Sequence, residues 1–149
     1  MVTIFVDADA MPRDALSVID RVGAEFDAEV ITVSSVNHHF DRPNHITVDP
    51  HPQAADMAII SMLKKGTKSV VVTQDYGLAS LALGQGARAI SPHGLIFTEM
   101  NMDRLLFERD IHARERRQTG RSRGPKPRTS KDTERFETAL MRILEEFNS

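Results

Sequence analysis

Two aspartates stand two residues apart at the end of an apolar run near the start of the chain. Asp7 and Asp9 follow VTIFV, residues 2–6, a β-branched stretch that is typical of a buried strand. Side chains at positions i and i+2 of a strand project to the same side. The spacing therefore predicts that both carboxylates point to one place beyond the end of this strand.

Two more aspartates occupy comparable places further along the chain. Asp75 comes directly after SVVVTQ, residues 69–74, and Asp56 lies in the first turn of a helix predicted over residues 53–65. We assume that the strands preceding Asp7 and Asp75 are neighbours in a parallel sheet. The acids then meet at the carboxyl edge of the sheet, where ligands of open α/β folds bind.

Carboxylates that converge in this way repel one another unless their pKa values rise or a cation neutralises them. An oxygen-only ligand set suits Mg²⁺ or Mn²⁺, which can polarise a phosphoryl oxygen and activate water. We expect Asp7, Asp56 and Asp75 to bind the metal. Asp9 would add a ligand or orient the attacking water, and the remaining pocket residues, expected to contact substrate, are Asn37 and Thr73.

Simpler roles remain open for each acid. Asp7 could end a strand, Asp9 could cap the helix that follows, Asp56 could complement a helix dipole, and Asp75 could be a turn or cap residue. An Asp-x-Asp pair after an apolar strand also occurs in haloacid-dehalogenase-like phosphatases, where the first aspartate is the nucleophile. A Gly-Thr type turn usually follows there, whereas Ala-Met-Pro follows here.

Strand and helix patterns alternate through the first two thirds of the chain. This predicts an α/β fold of three layers, a mostly parallel central sheet flanked by helices. We expect one domain over residues 1–149, with an α/β core over 1–98 and C-terminal helices over 99–149 that enclose a basic loop at 118–131. The predicted strands cover residues 2–6, 29–34, 45–49, 69–74 and 87–91.

Composition excludes several classes of protein. The chain has no cysteine, which rules out disulfides and thiolate metal sites. Aromatic residues make up only 5%, which argues against a base-stacking surface built on many aromatic rings. No apolar stretch approaches the roughly 20 residues that span a bilayer, and MVTIFVD lacks the basic start of a secretion signal. We therefore expect a cytoplasmic location and no membrane partner.

The net charge of −2 conceals a strong asymmetry. Residues 112–131 contain eight basic residues and one acid, so they carry +7 and the rest of the chain −9. An anionic partner suits such a stretch, and we expect nucleic acid, with RNA favoured over DNA. The expected phosphate-binding residues are Arg121, Arg123, Lys126 and Arg128. A homodimer is a second open partner, since the amphipathic C-terminal helix could pair with its copy or pack on the sheet.

Along the chain stand, in this order, the motifs VDADAMP, SVNHH, AADMAI, VVVTQDYGLA, SPHGLIFTEMNMDRLLFERD and RGPKPRTSKDTERF. Together they resemble the YaiI/YqxD family, a group of small bacterial proteins of uncharacterised function. This resemblance runs nearly end to end. Two departures are Met11, where the family commonly has cysteine, and Gln53, where an acid often stands.

The resemblance implies a PIN-like nuclease fold and Mg²⁺-dependent cleavage of RNA or DNA. Carried over by position, the acidic roles fall to Asp7, Asp9, Asp56 and Asp75. The expected activity is thus that of a metal-dependent nuclease or phosphodiesterase. The alternatives are a non-catalytic RNA-binding or regulatory module on the same fold, and a small-molecule phosphatase of the Asp-x-Asp type.

Overall fold

The structure of the chain is a computed structural model, and it describes residues 1–35, 42–51, 53–120 and 127–148. A six-stranded sheet forms its centre, in the order β3-β2-β1-β4-β5-β6. All neighbouring strands are parallel except β5 and β6. The strands are β1 (Thr3–Asp7), β2 (Glu29–Ser35), β3 (His45–Val48), β4 (Ser69–Val72), β5 (Arg88–Ile90) and β6 (Ile96–Phe97).

Helices cover both faces of the sheet. One face carries α1 and α5, and the other carries α2, α3 and the first part of α4. The predicted three-layer α/β architecture with a mostly parallel sheet is confirmed. The helices are α1 (Arg13–Glu25), α2 (Ala54–Met62), α3 (Tyr76–Gly84), α4 (Glu99–Thr119) and α5 (Ser130–Asn148).

The central strands are apolar throughout because each of their faces is buried. On β1, Ile4 and Val6 pack towards α1 and α5, whereas Phe5 packs towards α2, α3 and α4. On β4, Val70 and Val72 share the first environment and Val71 the second. Continuous Val/Ile runs are what a parallel sheet covered on both sides requires.

Helix α5 places its apolar face on the body of the protein. It packs against α1 and β5, and its fully buried side chains are Phe136, Leu140, Ile143 and Leu144. This burial decides between the two arrangements that the sequence left open for the C-terminal helix. Its apolar face packs on the sheet and is not available for pairing with a second copy.

Two details differ from the sequence-based expectations. Strand β6 was not predicted, because two residues are too few to show a period. It returns antiparallel to β5 through a turn at Gly94, whose φ is +92° and where a Cβ atom would lie 2.8 Å from the backbone carbon of Arg135. The loop predicted at 118–131 is too long at both ends, since α4 continues to Thr119 and α5 begins at Ser130.

Among the residues that the structure describes, no helix combines the length and the apolar character needed to cross a membrane.

Candidate functional site

The sheet order brings two of the candidate acids to one edge. Strands β1 and β4 are parallel neighbours, with Val6 beside Val72. Asp7 ends β1, and Thr73 and Asp75 follow β4 directly. The assumption on which the interpretation of the acids rests, that these two strands are adjacent, is confirmed.

Thr73 connects Asp7 to Asp75 through its hydroxyl group. Its Oγ1 donates to Asp7 Oδ2 over 2.9 Å and accepts the backbone N–H of Asp75 over 3.0 Å. Thr73 is fully buried, and its own N–H donates to the carbonyl of Ile90 on β5. Both hydroxyl functions are therefore used, and the position of the Asp7 carboxylate is set by the sheet.

Asp75 is at the same time the N-cap of α3. Its Oδ1 accepts the backbone N–H groups of Gly77 (2.8 Å) and Leu78 (3.3 Å). This is the usual way in which an aspartate satisfies free donors at a helix start. The cap orients Oδ1 towards α3, and the Asp75 carboxylate also shares a hydrogen bond with Asp56.

Asp56 reaches the cluster from the first turn of α2. Partial burial, the charges of Asp75 and Asp7 and a hydrogen bond shared with Asp75 raise the pKa of Asp56 to about 7. A carboxyl group with this pKa is partly protonated near neutral pH, and in that form it can donate the shared hydrogen bond. Three carboxylates from β1, α2 and the β4–α3 junction thus lie within mutual electrostatic reach.

The environment of Asp7 acts in the same direction. Burial raises its pKa most strongly, the hydrogen bond from Thr73 opposes this, and the charges of Asp9 and Asp75 raise it further. The net effect is a raised pKa. Among the described residues, the causes of these shifts include no cationic side chain, so no described cation compensates the cluster.

Asp9 is placed differently from the expectation. Strand β1 ends at Asp7, and a 3₁₀ turn over Ala8–Ala10 replaces the strand period on which the pairing of Asp7 and Asp9 was based. The Asp9 carboxylate instead accepts the backbone N–H of Ser35 with both oxygens, at 3.0 and 3.1 Å. It ties the turn to the end of β2, so Asp9 lies outside the strand period from which its pairing with Asp7 was predicted, although its charge still acts on Asp7.

The donor set has the chemistry of a hard-cation site but no finished coordination shell. The available atoms are carboxylate oxygens, which suit Mg²⁺ and Mn²⁺. Within the described ranges, no three or more histidine, aspartate or glutamate side chains are arranged as a group that could hold a metal ion. Thr73 and the α3 cap already engage one oxygen each of Asp7 and Asp75. Metal binding by Asp7, Asp56 and Asp75 stays a prediction.

Most of the predicted substrate-contacting residues are not described. Asn37, Arg121, Arg123 and Lys126 lie outside the described residues. Arg128 is described, and its side chain is only 15% exposed. It donates from Nε to Asp14 Oδ2 (2.8 Å) and from Nη1 to the carbonyl of Pro92 (2.6 Å). This guanidinium is committed to joining the α1 N-terminus to the turn after β5, which leaves its expected contact with phosphate without a structural basis.

Sequence reasoning missed two partners at this edge. Ser35, which receives Asp9, carries no local signal, because the bond is made by its backbone. Asp14 also accepts a hydrogen bond from Thr133 on α5 in addition to that from Arg128. An acid in the first turn of a helix is common, and nothing in the sequence indicates a partner more than 100 positions away.

A second polar contact holds the neighbouring strands together. Thr32 Oγ1 and Ser34 Oγ on β2 lie 2.6 and 2.8 Å from the two ring nitrogens of His45 on β3. Both hydroxyl groups belong to fully buried residues. The contact holds the end of β2 immediately before Ser35, whose backbone N–H donates to Asp9.

Comparisons with known proteins agree with the motif order. The sequence profile described as "Uncharacterized BCR, YaiI/YqxD family" matches residues 5–146. A UPF0178 protein of Heliobacterium modesticaldum is 39% identical over 145 residues, covering 97% of this chain and 98% of that protein. A UPF0178 protein of Clostridium kluyveri is 40% identical over 144 residues, covering 95% of this chain and 91% of that protein.

Among solved structures, the chain is similar to a crystal structure of a mutant of Rae1 (YacP) from Bacillus subtilis. The identity is 21%, the TM-score is 0.46, and 99% of each chain is covered. The PIN-like classification stays a prediction from the resemblance. The profile match over 142 consecutive positions, residues 5–146, together with relatives that are 39 and 40% identical over almost their whole lengths, shows that this chain belongs to the YaiI/YqxD family.

Proposed function

We propose that the acidic cluster at the carboxyl edge of the sheet is the active site of a divalent-metal-dependent nuclease or phosphodiesterase. The observation that carries this proposal is the convergence of Asp7, Asp56 and Asp75 from three separate elements. Like charges brought together at a partly buried place cost folding free energy. A cluster of this kind is explained if a cation neutralises it during function.

The roles follow from the positions of the side chains. Asp7, Asp56 and Asp75 would hold Mg²⁺ or Mn²⁺, which supplies Lewis-acid activation of a phosphoryl oxygen and of water. Thr73 is a positioning residue, since its hydroxyl group orients the Asp7 carboxylate and fixes the Asp75 backbone. The α3 cap restricts Asp75 in the same way.

The charge distribution supports a polyanionic substrate. The end of α4 carries Arg114, Arg116 and Arg117, all exposed, and the sequence continues into the basic residues 121–128. Arginines on the flank of a metal-bound scissile phosphate can bind neighbouring backbone phosphates. We therefore infer RNA, in preference to DNA, as the substrate class, and the cytoplasm as the place of action.

The direct test is cleavage of labelled RNA and DNA in the presence of Mn²⁺, with wild type compared to Asp7→Asn. Asparagine keeps the shape of the side chain and removes its charge. We expect metal-dependent products from wild type and almost none from the variant. The matched control is Glu25→Gln, an exposed acid at the far end of α1, which should cleave like wild type. No cleavage by wild type, or equal cleavage by Asp7→Asn, would refute the assignment.

Calorimetric titration with Mn²⁺ separates metal binding from turnover. Wild type should bind the ion and Asp7→Asn should bind it at least tenfold more weakly. Binding without cleavage would retain the metal site and remove the nuclease. Equal binding by both proteins would place the ion elsewhere and contradict the ligand set.

A non-catalytic RNA-binding module is the second candidate, and one observation favours it. The described acids form hydrogen bonds within the fold and are not arranged as a metal-ligand group. This alternative predicts RNA affinity that falls steeply with salt, does not require Mn²⁺ and is unchanged in Asp7→Asn. The Asp-x-Asp phosphatase is disfavoured, because both oxygens of Asp9 accept the backbone N–H of Ser35.

A further inference from the structure

We infer that α4 is a dimerisation helix, which pairs antiparallel with α4 of a second copy of this chain. The inference does not use the acidic cluster, and it assigns Arg114 and Arg117 to the contact between copies, which leaves Arg116 and the basic residues 121–128 for a polyanionic substrate. It begins with the length of α4, which has 21 residues and is the longest described helix. Met102 and Leu105 are buried and Leu106 packs against the same core cluster, so the body supports only the first part of the helix.

The second half of α4 has almost no support from the other residues that the structure describes. From Phe107 to Thr119 every residue is exposed except Ala113, which is half-buried. A free helical stretch of about 12–15 residues is marginal in water, since few helices of that length are stable without tertiary packing. A contact with another molecule would supply the missing packing.

The face opposite the body carries a stripe with coiled-coil spacing. Its members recur at alternating intervals of four and three residues, which is the heptad period of a helix-pairing seam. Three of them are large apolar side chains exposed to solvent: Met100 (94%), Phe107 (64%) and Ile111 (36%). The complete seam is Met100, Arg104, Phe107, Ile111, Arg114 and Gln118.

The sequence of this seam is symmetric about position 109. In an antiparallel pair centred there, Phe107 of one copy lies opposite Ile111 of the other, and Met100 lies opposite Gln118. The two Phe107–Ile111 pairs are thereby at the centre of the contact, and Arg104 of each copy lies opposite Arg114 of the other, where the long side chains can extend past the apolar centre to solvent. Interfaces that are stable in water commonly have this arrangement of an apolar core and a polar rim.

The charges of α4 select a second copy, in antiparallel orientation, as the occupant. Its first ten residues, 99–108, contain three acids and one arginine, whereas residues 109–119 contain four arginines and two acids. An antiparallel pair brings the acidic half of each helix to the basic half of the other, with Asp103 beside the second copy's Arg117. A parallel pair would place like charges together along the whole length.

Solution mass is the first test, measured by light scattering after gel filtration over micromolar concentrations. Wild type is expected as a dimer, and Phe107→Asp is expected to raise the dissociation constant at least tenfold. The matched control is Leu81→Asp, which alters an apolar side chain on α3 that is 57% exposed and should leave the dimer intact. A monomeric wild type, or a Phe107→Asp protein that dimerises like wild type, overturns the proposal.

Crosslinking tests the orientation, and the lack of native cysteine makes it unambiguous. Positions 100 and 118 are about 27 Å apart along one helix. An antiparallel pair predicts oxidative crosslinks when Met100→Cys and Gln118→Cys proteins are mixed, and few when either is oxidised alone. Crosslinks within each variant, with none between the two variants in the mixture, would show a parallel pair and refute the arrangement.

Charge exchange gives a test that does not depend on burying a new polar group. Asp103→Arg and Arg117→Asp should each weaken the dimer several-fold, and the double variant should restore it. Folding of each protein is checked by circular dichroism. A double variant as weak as the sum of its parts would contradict the predicted contact. If Phe107→Asp changes RNA affinity in a chain that is always monomeric, the stripe is a nucleic-acid surface and the dimer is wrong.

Discussion

Asp14 and the acidic cluster of Asp7, Asp56 and Asp75 both lie at the carboxyl edge of the sheet, and their surroundings shift carboxyl pKa values in opposite directions. Asp14, in the first turn of α1, receives Arg128 and the Thr133 hydroxyl group. Although its slight burial acts in the other direction, these partners lower the pKa of Asp14. The cluster of Asp7 and Asp56 has raised pKa values and receives no described cation.

The difference indicates which acids serve the fold and which do not. The chain places an arginine on Asp14, at the junction of α1, α5 and the turn after β5. From the part of the chain that the structure describes, the cluster receives hydrogen bonds from the Thr73 hydroxyl group and from backbone amides. An acidic group that is left uncompensated beside a compensated one is a candidate for ligand binding, since raised pKa values concentrate at functional sites.

The largest expected effect comes from removing a charge of the acidic cluster, compared with removing the charge of Asp14. Asp7→Asn should lower Mn²⁺-dependent cleavage by about a hundredfold or more, because it removes a charge that the metal needs. Asp14→Asn should leave the turnover of the folded protein within about twofold. Single-turnover rates on labelled RNA check both. A similar loss in the two variants would mean that the cluster is not special.

Thr73→Val should give the next largest effect. It keeps the side-chain shape but leaves Asp7 Oδ2 and the Asp75 N–H without their partner, at a cost of about 1–3 kcal/mol. Urea denaturation measures the change in the free energy of unfolding. Thr47→Val, at an exposed position of β3, is the control and should change it by less than about 0.5 kcal/mol. Equal changes would show that the Thr73 hydroxyl group has no structural role.

Removing the compensation of Asp14 should have a moderate effect. Arg128→Met keeps much of the stem and removes the guanidinium, so the free energy of unfolding should fall by about 1 kcal/mol, because Asp14 is itself only partly shielded from water. Thermal unfolding at low salt measures it. Arg135→Met, whose side chain is 69% exposed, is the control and should be neutral. A neutral Arg128→Met would remove the structural meaning of this ion pair.

The smallest and most diagnostic effect is the pH dependence of stability without metal. The folded pKa of Asp56, about 7, lies above its ordinary value of 3.8, so between these values the folded state binds a proton that the unfolded state has released. Stability therefore falls as pH rises from about 4 to 7. Asp56→Asn should flatten this fall and stabilise the metal-free protein at pH 8 by about 1 kcal/mol, a value reduced for solvent screening.

Added Mn²⁺ sharpens the same measurement. If the cluster binds the ion, wild type should gain stability at pH 8 and Asp56→Asn should gain much less. Chemical denaturation at pH 5 and pH 8, with and without Mn²⁺, gives the four values required. A wild type whose stability rises from pH 5 to pH 8 without metal would contradict the raised pKa of Asp56.

The sequence by itself determined the layers of the fold and the identity of the acidic cluster. Apolar β-branched runs and amphipathic helices indicate which residues are buried. Residues that share a face recur every two positions in a strand and every three to four positions in a helix, so the pattern is visible in the sequence. Asp7 and Asp75 follow such runs, and Thr73 lies between Val72 and Asp75. Their place at the carboxyl edge of the sheet could therefore be inferred once β1 and β4 were taken as neighbours.

Only the tertiary structure decided the direction of Asp9, the commitment of Arg128 and the exposure of the α4 stripe. Asp9 lies outside the strand period because a 3₁₀ turn follows β1, and its partner Ser35 lies 26 positions further along the chain. Arg128 meets Asp14 across 114 positions. The α4 stripe is exposed because α4 packs on the body with its opposite side, through Met102 and Leu105. Such contacts depend on how elements pack in space, and local sequence periodicity carries no record of that packing.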